Sequence, residues 1–351
     1  MNPVEVKTHP DFDEHESVVF SSSETLTAII AIHSSELGPA AGGCRMYPYA
    51  SHEQALTDVL RLSRGMTYKS ALAGVPFGGG KSVIMGDPRT AKTRQLLHEM
   101  GDFIESLKGQ YMAAEDSGTS VADIAAMGER TRFISGVSGG RFGGDPSPLT
   151  AYGVFIGIRE AVRHRTQADL PGISVAIQGV GNVGYHLTNL LICAGARVTV
   201  ADISRQNLEW VSKIPGVNVV PADEILSAEV DVLAPCAMGG AINENSIYSI
   251  RAGIVAGAAN NQLISKEMAD ELLYRGILYA PDYVINAGGI IDVYYQNCGE
   301  RSEDIVNKHI ERIGPTLNTI FTSSDSRRLS TQAVADEMAE KILNRVHHQA
   351  A

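Results

Sequence analysis

The amino-acid sequence predicts an α/β protein of two domains, and three observations carry that prediction. The chain has 351 residues, more than one compact core usually takes. Gly and Ser crowd the stretch "SGVSGGRFGGDPSP" at 135–148, a breaker-rich segment of the kind that separates folded units. Beyond it, short β-branched runs alternate with helical runs, which is the βαβ rhythm of a parallel, doubly wound sheet. The expected division is 1–145 together with a C-terminal helix at 326–351, and 146–325 between them.

The elements follow in order. "SVVFSSSETLTAIIAIHSSEL" (17–37) is rich in β-branched residues and reads as two short strands. In "SHEQALTDVLRLSRGMTYKSALAG" (51–74), Ala55, Val59, Leu60, Leu62 and Met66 recur at helical spacing, and Ser51 with Gln54 forms a capping box. "KSVIMGDP" reads as a buried strand that ends in a Gly-Asp-Pro turn, behind a flexible run of glycines. "TRQLLHEMGDFIESLKG" is an amphipathic helix, and "GQYMAAEDSGTS" is a strand running into a loop. After the boundary come the helix "LTAYGVFIGIREAVRHR", the strand "SVAIQ", a glycine turn, a further helix and the strand "RVTVAD". "TQAVADEMAEKILNRV" closes the chain as a helix.

Composition narrows the function. The formal net charge of −11 disfavours a nucleic-acid or anionic-membrane surface. No apolar run reaches membrane-spanning length, and the polar, acidic start "MNPVEVKTHPDFDEHE" is unlike a signal peptide. Cys44, Cys193, Cys236 and Cys298 are scattered without a CxxC pair, as expected of reduced thiols in a cytoplasmic protein. The histidines form no metal-ligand array, so no metal is expected.

"SVAIQGVGNVGYHLTNLLICAGARVTVAD" carries Gly179, Gly181 and Gly184 as G-x-G-x-x-G, directly after an apolar strand and at the opening of an apolar helix. A second strand ends in Asp202, 23 residues after Gly179. In that context the pattern is a dinucleotide fingerprint, and the second domain is of Rossmann type. Gly179 permits the tight turn, Gly181 lets backbone approach a pyrophosphate, and Gly184 allows close helix packing. The helix N-terminus offers free N–H donors to the phosphates. Asp202 accepts from ribose hydroxyls and repels a 2′-phosphate, which favours NAD over NADP. Arg205 nearby tempers that preference.

"FGGGKSVIMGDP" (77–88) raises a different question, because Gly80-Lys81-Ser82 resembles the end of a nucleotide phosphate loop. Such a loop needs a glycine at position 75, where the chain has Val75. It also needs a strand before it and a helix after it, and here the order is reversed. Lys81 instead stands at a strand start in the first domain, twelve residues after Lys69. Two lysines converging in one cleft destabilise each other's charge. One is then fit to act as a general base, and the other to hold a carboxylate. A solvated surface position is the alternative for either.

Taken together, "LGPAAGGCRMYPY", "RLSRGMTYKSALAG", "FGGGKSVI", "AAEDSGT", "DPSPLTAYGV", "QGVGNVG", "APCAMGG", "AGAANNQL" and "APDYVINAGG" resemble the glutamate/leucine/phenylalanine/valine dehydrogenase superfamily. Their order and spacing are most similar to the leucine dehydrogenase branch. The resemblance implies NAD-dependent oxidative deamination of an L-amino acid in a homo-oligomeric enzyme with an N-terminal α/β catalytic domain. It implies that Lys69 binds the substrate carboxylate, Lys81 activates water and Asp116 exchanges a proton with the amino group. Asn261 then lies beside substrate and nicotinamide, and Thr150 near the carboxamide. Gly42, Gly43 and Met66 line the substrate. Asn182, Val183, Ile203, Cys236 and Ala237 accompany the fingerprint on the cofactor. The resemblance also implies closure of a cleft between the two domains.

The same resemblance places Ala41, Ala114, Ile290 and Val293 around the substrate side chain. Glutamate-specific relatives carry a lysine and a serine where Ala41 and Val293 stand, so glutamate is disfavoured. Leucine-type relatives often have a larger residue at Ala41, and the alanine there opens the pocket toward aromatic substrates. "AAEDSGT" is nevertheless of leucine type. Leucine and other branched-chain amino acids are therefore expected, with phenylalanine or tryptophan second. Asp145, Asp292, Tyr294 and Tyr295 depart from the family pattern, at the hinge and the outer pocket wall. A different dinucleotide enzyme and a non-catalytic NAD-binding protein are the competing classes. Both leave the set Lys69, Lys81 and Asp116 unexplained.

Overall fold

The apolar run at 26–32 forces the first architecture, because it has no polar face to offer water. The computed structural model describes residues 6–137, 145–299 and 302–350; residues 138–144 of the Gly/Ser boundary lie outside them. β1 (Ser17–Ser22) and β2 (Thr27–Ser34) pair antiparallel from Ser17↔Ile32 to Ser22↔Thr27. The turn is closed by Ser23, whose amide donates to the Leu26 carbonyl and whose hydroxyl accepts from the Leu26 amide at 2.9 Å. β2 pairs antiparallel with β4 (Gly78–Met85). β3 (Ala40–Tyr47) runs parallel to β4 and to β5 (Tyr111–Glu115), giving the order β1-β2-β4-β3-β5.

Both faces of this mixed sheet are covered. On one lies α1 (His52–Ala73), where Ala55, Leu56, Val59 and Leu60 pack with Ile29, Ala31 and Val83. On the other lie α2 (Arg94–Ser106) and α3 (Val121–Met127). Leu96, Met100, Ile104, Ile124 and Met127 pack there with Ala28, Ile30, Cys44, Ile84 and Tyr111. β2 sends alternate residues to the two cores, which is why its sequence is apolar without interruption.

Two local expectations change. The Ser51 hydroxyl caps α1 by accepting from Gln54 N, but the Gln54 side chain reaches back to the Ala50 amide at 2.8 Å rather than to Ser51. The glycines ahead of Lys81 are not a flexible lead-in, since Gly78, Gly79 and Gly80 are buried residues of β4 itself. A Cβ on Gly79 would stand 2.0 Å from Thr67 Oγ1 and 2.2 Å from Thr67 N. Gly79 therefore lets the backbone of α1 lie directly on β4, while Gly80 makes room for the Tyr111 ring.

The second sheet is wholly parallel. Its strands are β6 (Ser174–Gln178), β7 (Arg197–Ala201), β8 (Val217–Val219), β9 (Val232–Pro235), β10 (Ile254–Val255) and β11 (Leu278–Tyr279). They lie in the order β11-β10-β9-β6-β7-β8. Counted within this unit the order is 3-2-1-4-5-6 read from the β8 edge, the doubly wound dinucleotide arrangement with its switch point between β6 and β9. The helices are α4 (Ser147–Thr166), α5 (Asn182–Cys193), α6 (Arg205–Val211), α7 (Glu267–Tyr274), α8 (Asp282–Ile285), α9 (Gly288–Asn297), α10 (Glu303–Ile310), α11 (Ile313–Arg327) and α12 (Thr331–Ala350).

The chain divides into two compact units: Met1–Asp145 with Val293–Arg301 and Ala339–Ala351, and Pro146–Asp292 with Ser302–Met338. Among the described residues no helix is long and apolar enough to cross a membrane.

Candidate functional site

Parallel register assembles the first unit's polar cluster. β3 and β5 pair Ala41↔Met112 and Gly43↔Ala114, and β3 and β4 pair Ala41↔Gly79 and Arg45↔Val83. Side chains alternate along each strand. Ala41, Gly43 and Arg45, Lys81 of β4, Ala114 of β5 and Asp116 just beyond it therefore share the face on which α1 packs. Lys69 and Met66 belong to α1; Lys69 is buried, and Met66 Cγ lies 3.4 Å from where a Cβ on Gly42 would stand.

Lys81 and Asp116 are 4% exposed and nearly buried respectively, and they form an ion pair through Lys81 Nζ and Asp116 Oδ2. The group found against Lys81 is thus a carboxylate, while Lys69 is buried on α1. Opposite charge is what permits a buried lysine here. Gly43 makes room for the acid, since a Cβ there would be 2.6 Å from Asp116 Cβ. Thr119 fixes the loop: its hydroxyl accepts from the Asp116 amide at 3.0 Å and donates to the Cys44 carbonyl at 2.8 Å. Burial alone pushes the Asp116 carboxyl up, but the Lys81 and Arg45 cations and the Ser117 amide hold it well below the usual carboxylate range. Glu115, one residue earlier and hence on the other face, shifts the opposite way. Burial, then the charges of Asp145, Asp116 and Asp123, push it up.

Three residues of this cluster escaped the sequence reading. Arg45 donates to Asp58 Oδ2 at 2.9 Å and stands 3.5 Å from Asp116 Oδ1. The Tyr49 hydroxyl also donates to Asp58 Oδ2, at 2.7 Å. The signal was the period-2 placement of Arg45 on the face of Gly43 and Ala41, which puts a charge where a buried strand needs a partner for it.

In the second unit the glycine loop follows β6 at the switch point. Gly179 has φ +91° and its amide donates to the Ala201 carbonyl at 2.8 Å. A Cβ on Gly179 would lie 2.8 Å from Ala237 Cβ, and one on Gly184 would lie 2.1 Å from the Gly179 carbonyl oxygen. The loop after β6 and the Cys236–Ala237 segment after β9 therefore meet. α5 begins at Gly181 with no side-chain cap, so the first amides, from Asn182, Val183 and Gly184, lack helical acceptors. Uncapped amides at a helix start, close to glycine backbone, fit a pyrophosphate.

Asp202 is already engaged. Its Oδ2 accepts from Val180 N at 2.8 Å and from Asn207 Nδ2 at 3.1 Å, while Oδ1 accepts from Ser204 N at 2.7 Å. Next to it Ile203 is 93% exposed. Burial raises the Cys236 thiol to about 12, which leaves it a packing group. A cavity of ≈ 420 Å³ lies alongside, lined by Val180, Gly181, Asn182, Tyr185, His186, Trp210 and Lys213.

Thr150, Asn261 and Ile290 also fall in this unit. Thr150 lies in the first turn of α4, its hydroxyl donating to the Pro146 carbonyl at 3.0 Å. Gly289 sits against it, a Cβ there being 2.7 Å from Thr150 Oγ1. Asn261 has φ +50°, and its carbonyl accepts from the Gly240 amide at 2.7 Å. Ile290 and Val293 are buried residues of α9, one in each unit. Among the described residues no cluster of His, Cys, Asp or Glu is arranged to hold a metal ion.

Comparison with known proteins follows the same two-part division. Residues 17–133 match the family described as Glu/Leu/Phe/Val dehydrogenase, dimerisation domain. Residues 143–206 and 199–323 match Glutamate/Leucine/Phenylalanine/Valine dehydrogenase. The chain is 44% identical to a leucine dehydrogenase of Geobacillus stearothermophilus over 333 residues, 93% of this chain and 90% of that one. It is also 44% identical to a phenylalanine dehydrogenase of Bacillus thermotolerans, over 93% of this chain and 88% of the relative. Among solved structures, L-tryptophan dehydrogenase from Nostoc punctiforme superposes with a TM-score of 0.77 at 41% identity, covering 95% of this chain and 97% of that one. The fold, the two matched regions and these identities together make the chain an amino acid dehydrogenase of the glutamate/leucine/phenylalanine/valine dehydrogenase family.

Proposed function

We propose that the protein oxidatively deaminates a hydrophobic L-amino acid, leucine and other branched-chain substrates first, to the 2-oxo acid and ammonia, reversibly. The observation that carries this reading is the buried Lys81–Asp116 pair on the sheet face that also holds Ala41, Gly43 and Ala114. Members of this family use NAD, and the uncapped α5 start, the loop glycines and Asp202 fit that group. When bound, NAD accepts the hydride that leaves the substrate Cα.

The remaining chemistry falls to the chain's own residues. Lys69 holds the α-carboxylate and so fixes Cα. Asp116 is an anion in the free enzyme, suited to offset the charge on the substrate nitrogen as the imine forms and to exchange its proton. Lys81, a cation while paired with Asp116, first releases its proton to solvent. The neutral amine then takes a proton from the water that attacks the imine carbon, and the C–N bond breaks as Asp116 returns its proton to the departing nitrogen, releasing ammonia. Gly42, Gly43 and Met66 line the substrate. Asn261 and Thr150 serve substrate and nicotinamide, and Val183, Ile203, Cys236 and Ala237 serve the cofactor. In this reading the first unit is the catalytic and oligomerisation domain of a cytoplasmic homo-oligomer. The dimerisation-domain match at 17–133 supports that assignment.

Ala41, Ala114, Ile290 and Val293 are all apolar, and none of them is a charge partner for a glutamate side chain. A second reading, an aromatic substrate, is favoured by the small side chain of Ala41 and by the phenylalanine and tryptophan dehydrogenases at similar identity. The test is initial NADH formation at alkaline pH across L-leucine, L-valine, L-isoleucine, L-phenylalanine, L-tryptophan and L-glutamate. Branched-chain turnover above the rest is expected. Preference for phenylalanine or tryptophan selects the second reading, and turnover of glutamate alone overturns both.

A further inference from the structure

Arg45 sits where two carboxylates and one phenol meet. One arm of its guanidinium donates to Asp58 Oδ2 at 2.9 Å, and the other lies 3.5 Å from Asp116 Oδ1. Tyr49 donates to the same Asp58 oxygen at 2.7 Å. Asp58 belongs to α1, Arg45 to β3 and Asp116 to the loop after β5, so one guanidinium links three elements. Arg45 and Asp116 side chains are 12% and 10% exposed, against 24% for Asp58. Among the described residues, Arg45 Nε is buried with no hydrogen-bond partner. A buried donor left unpaired is costly. The two terminal nitrogens, not Nε, face the two acids.

We propose that Arg45, braced by Asp58 and Tyr49, is a positioning residue for Asp116. Together with the Ser117 amide, which donates to Oδ1 at 2.6 Å, it holds that side of the carboxylate and keeps it ionised when the pairing of Oδ2 with Lys81 is exchanged for pairing with the substrate amino group. A planar fork can hold two carboxylates in fixed relation, and an ammonium of shorter reach cannot. Arg45 itself touches no reacting atom in this assignment. The inference rests on the role given to Asp116 above.

The experiment is a double-mutant cycle on kcat and KM for the best amino acid, with NAD binding followed by fluorescence. Asp116→Asn should lower kcat by at least a hundredfold. Arg45→Met should lower kcat by roughly tenfold to a hundredfold with KM for NAD unchanged, and Arg45→Lys by less. In the Asp116→Asn background, Arg45→Met should add less than about twofold, because the group it positions is gone. A merely structural role would instead multiply with Asp116→Asn and move KM for NAD. Should Arg45→Met fail to fold, the same cycle with Arg45→Lys decides. Full kcat in the Arg45 variants, or additive losses, overturns the proposal while Asp116→Asn stays inactive. An active Asp116→Asn overturns the Asp116 reading itself, and this inference with it.

Discussion

The two units solve the same problem, holding polar groups in a fixed place, by different means. In the first, charged side chains from α1, β3, β4 and the loop after β5 are buried against one another: Lys81 with Asp116, and Arg45 with Asp58 and Asp116. In the second, backbone does the work. Amides near Gly181 point out of a helix start, and the one acid there, Asp202, is itself pinned by the Val180 and Ser204 amides. Charges buried in pairs are strong but fragile, because removing one partner strands the other. A backbone nest has no partner to lose and is disturbed only by steric intrusion. The predictions that follow probe that contrast.

The largest effect should come from Lys81. Lys81→Ala removes the proposed base and strands Asp116 beside Arg45. We expect kcat to fall about 10³-fold, within the range for general-base catalysis, while NAD titrated by fluorescence binds as before. Near-normal turnover would remove Lys81 from the chemistry, and loss of NAD binding would mean the two units do not divide the work as proposed.

Acid should loosen the first unit before the second. His15 is 6% exposed, and its ring Nε2 lies 2.9 Å from the Ser63 hydroxyl. Burial, then the neighbouring His33, lower its pKa to about 4. The unfolded chain takes up that proton near pH 6.5 and the folded chain does not until about pH 4. Its contribution is therefore complete above pH 6.5 and lost as pH falls toward 4, by up to about 3 kcal/mol. Hydrogen exchange of α1 should quicken across that window while the fluorescence of Trp210, the chain's single tryptophan in the second unit, stays steady. His15→Gln should flatten the dependence, and an unchanged profile in that variant would place the acid sensitivity elsewhere.

Steric intrusion tests the other side. Gly184→Ala sets a Cβ 2.1 Å from the Gly179 carbonyl oxygen, so the loop and α5 must part. Overpacking of this kind costs about 1–3 kcal/mol. NAD affinity should drop while the ion pairs of the first unit are untouched. Unaltered NAD affinity would show that the loop does not need its present closeness to the helix.

The contrast also explains what the sequence disclosed. The glycine loop is contiguous, and its strand, turn, helix and acid follow at fixed spacing, so Gly179, Gly181, Gly184 and Asp202 were legible from spacing alone. The βαβ rhythm predicts a parallel, doubly wound sheet, and the pairing of the strands adds the order 3-2-1-4-5-6. The first unit's cluster is spread from Arg45 to Asp116, and only strand register brings it together. Lys81 and Asp116 were reached through resemblance, not spacing. The Arg45–Asp58–Tyr49 brace was missed, since nothing in a one-dimensional pattern says that α1 lies over β3. The glycines before Lys81 were misjudged as flexible for the same reason. Gly79 admits Thr67 of α1, twelve positions before it, while Gly78 admits the Ser34 and Gly38 carbonyls and Gly80 the Tyr111 ring.

The smallest predicted effect concerns Asp202, where the two strategies meet. Its carboxylate accepts three hydrogen bonds, two of them from backbone amides flanking the loop. An ionised carboxylate has about four acceptor sites, so one remains for a ribose hydroxyl. Asp202→Asn replaces one oxygen with a donor that faces either an amide or the Asn207 side-chain nitrogen. Both the loop anchor and the ribose contact weaken at once. NAD affinity should fall about tenfold, or about 1.4 kcal/mol, with kcat at saturating NAD nearly unchanged. The same change removes the charge that repels a 2′-phosphate, so the ratio of NADP to NAD turnover should rise. Isothermal titration with each cofactor separates the two consequences. If NAD weakens and NADP does not gain, Asp202 acts chiefly as a loop anchor. If NADP gains while NAD holds, the backbone amides keep the loop without it, and the side chain serves discrimination alone.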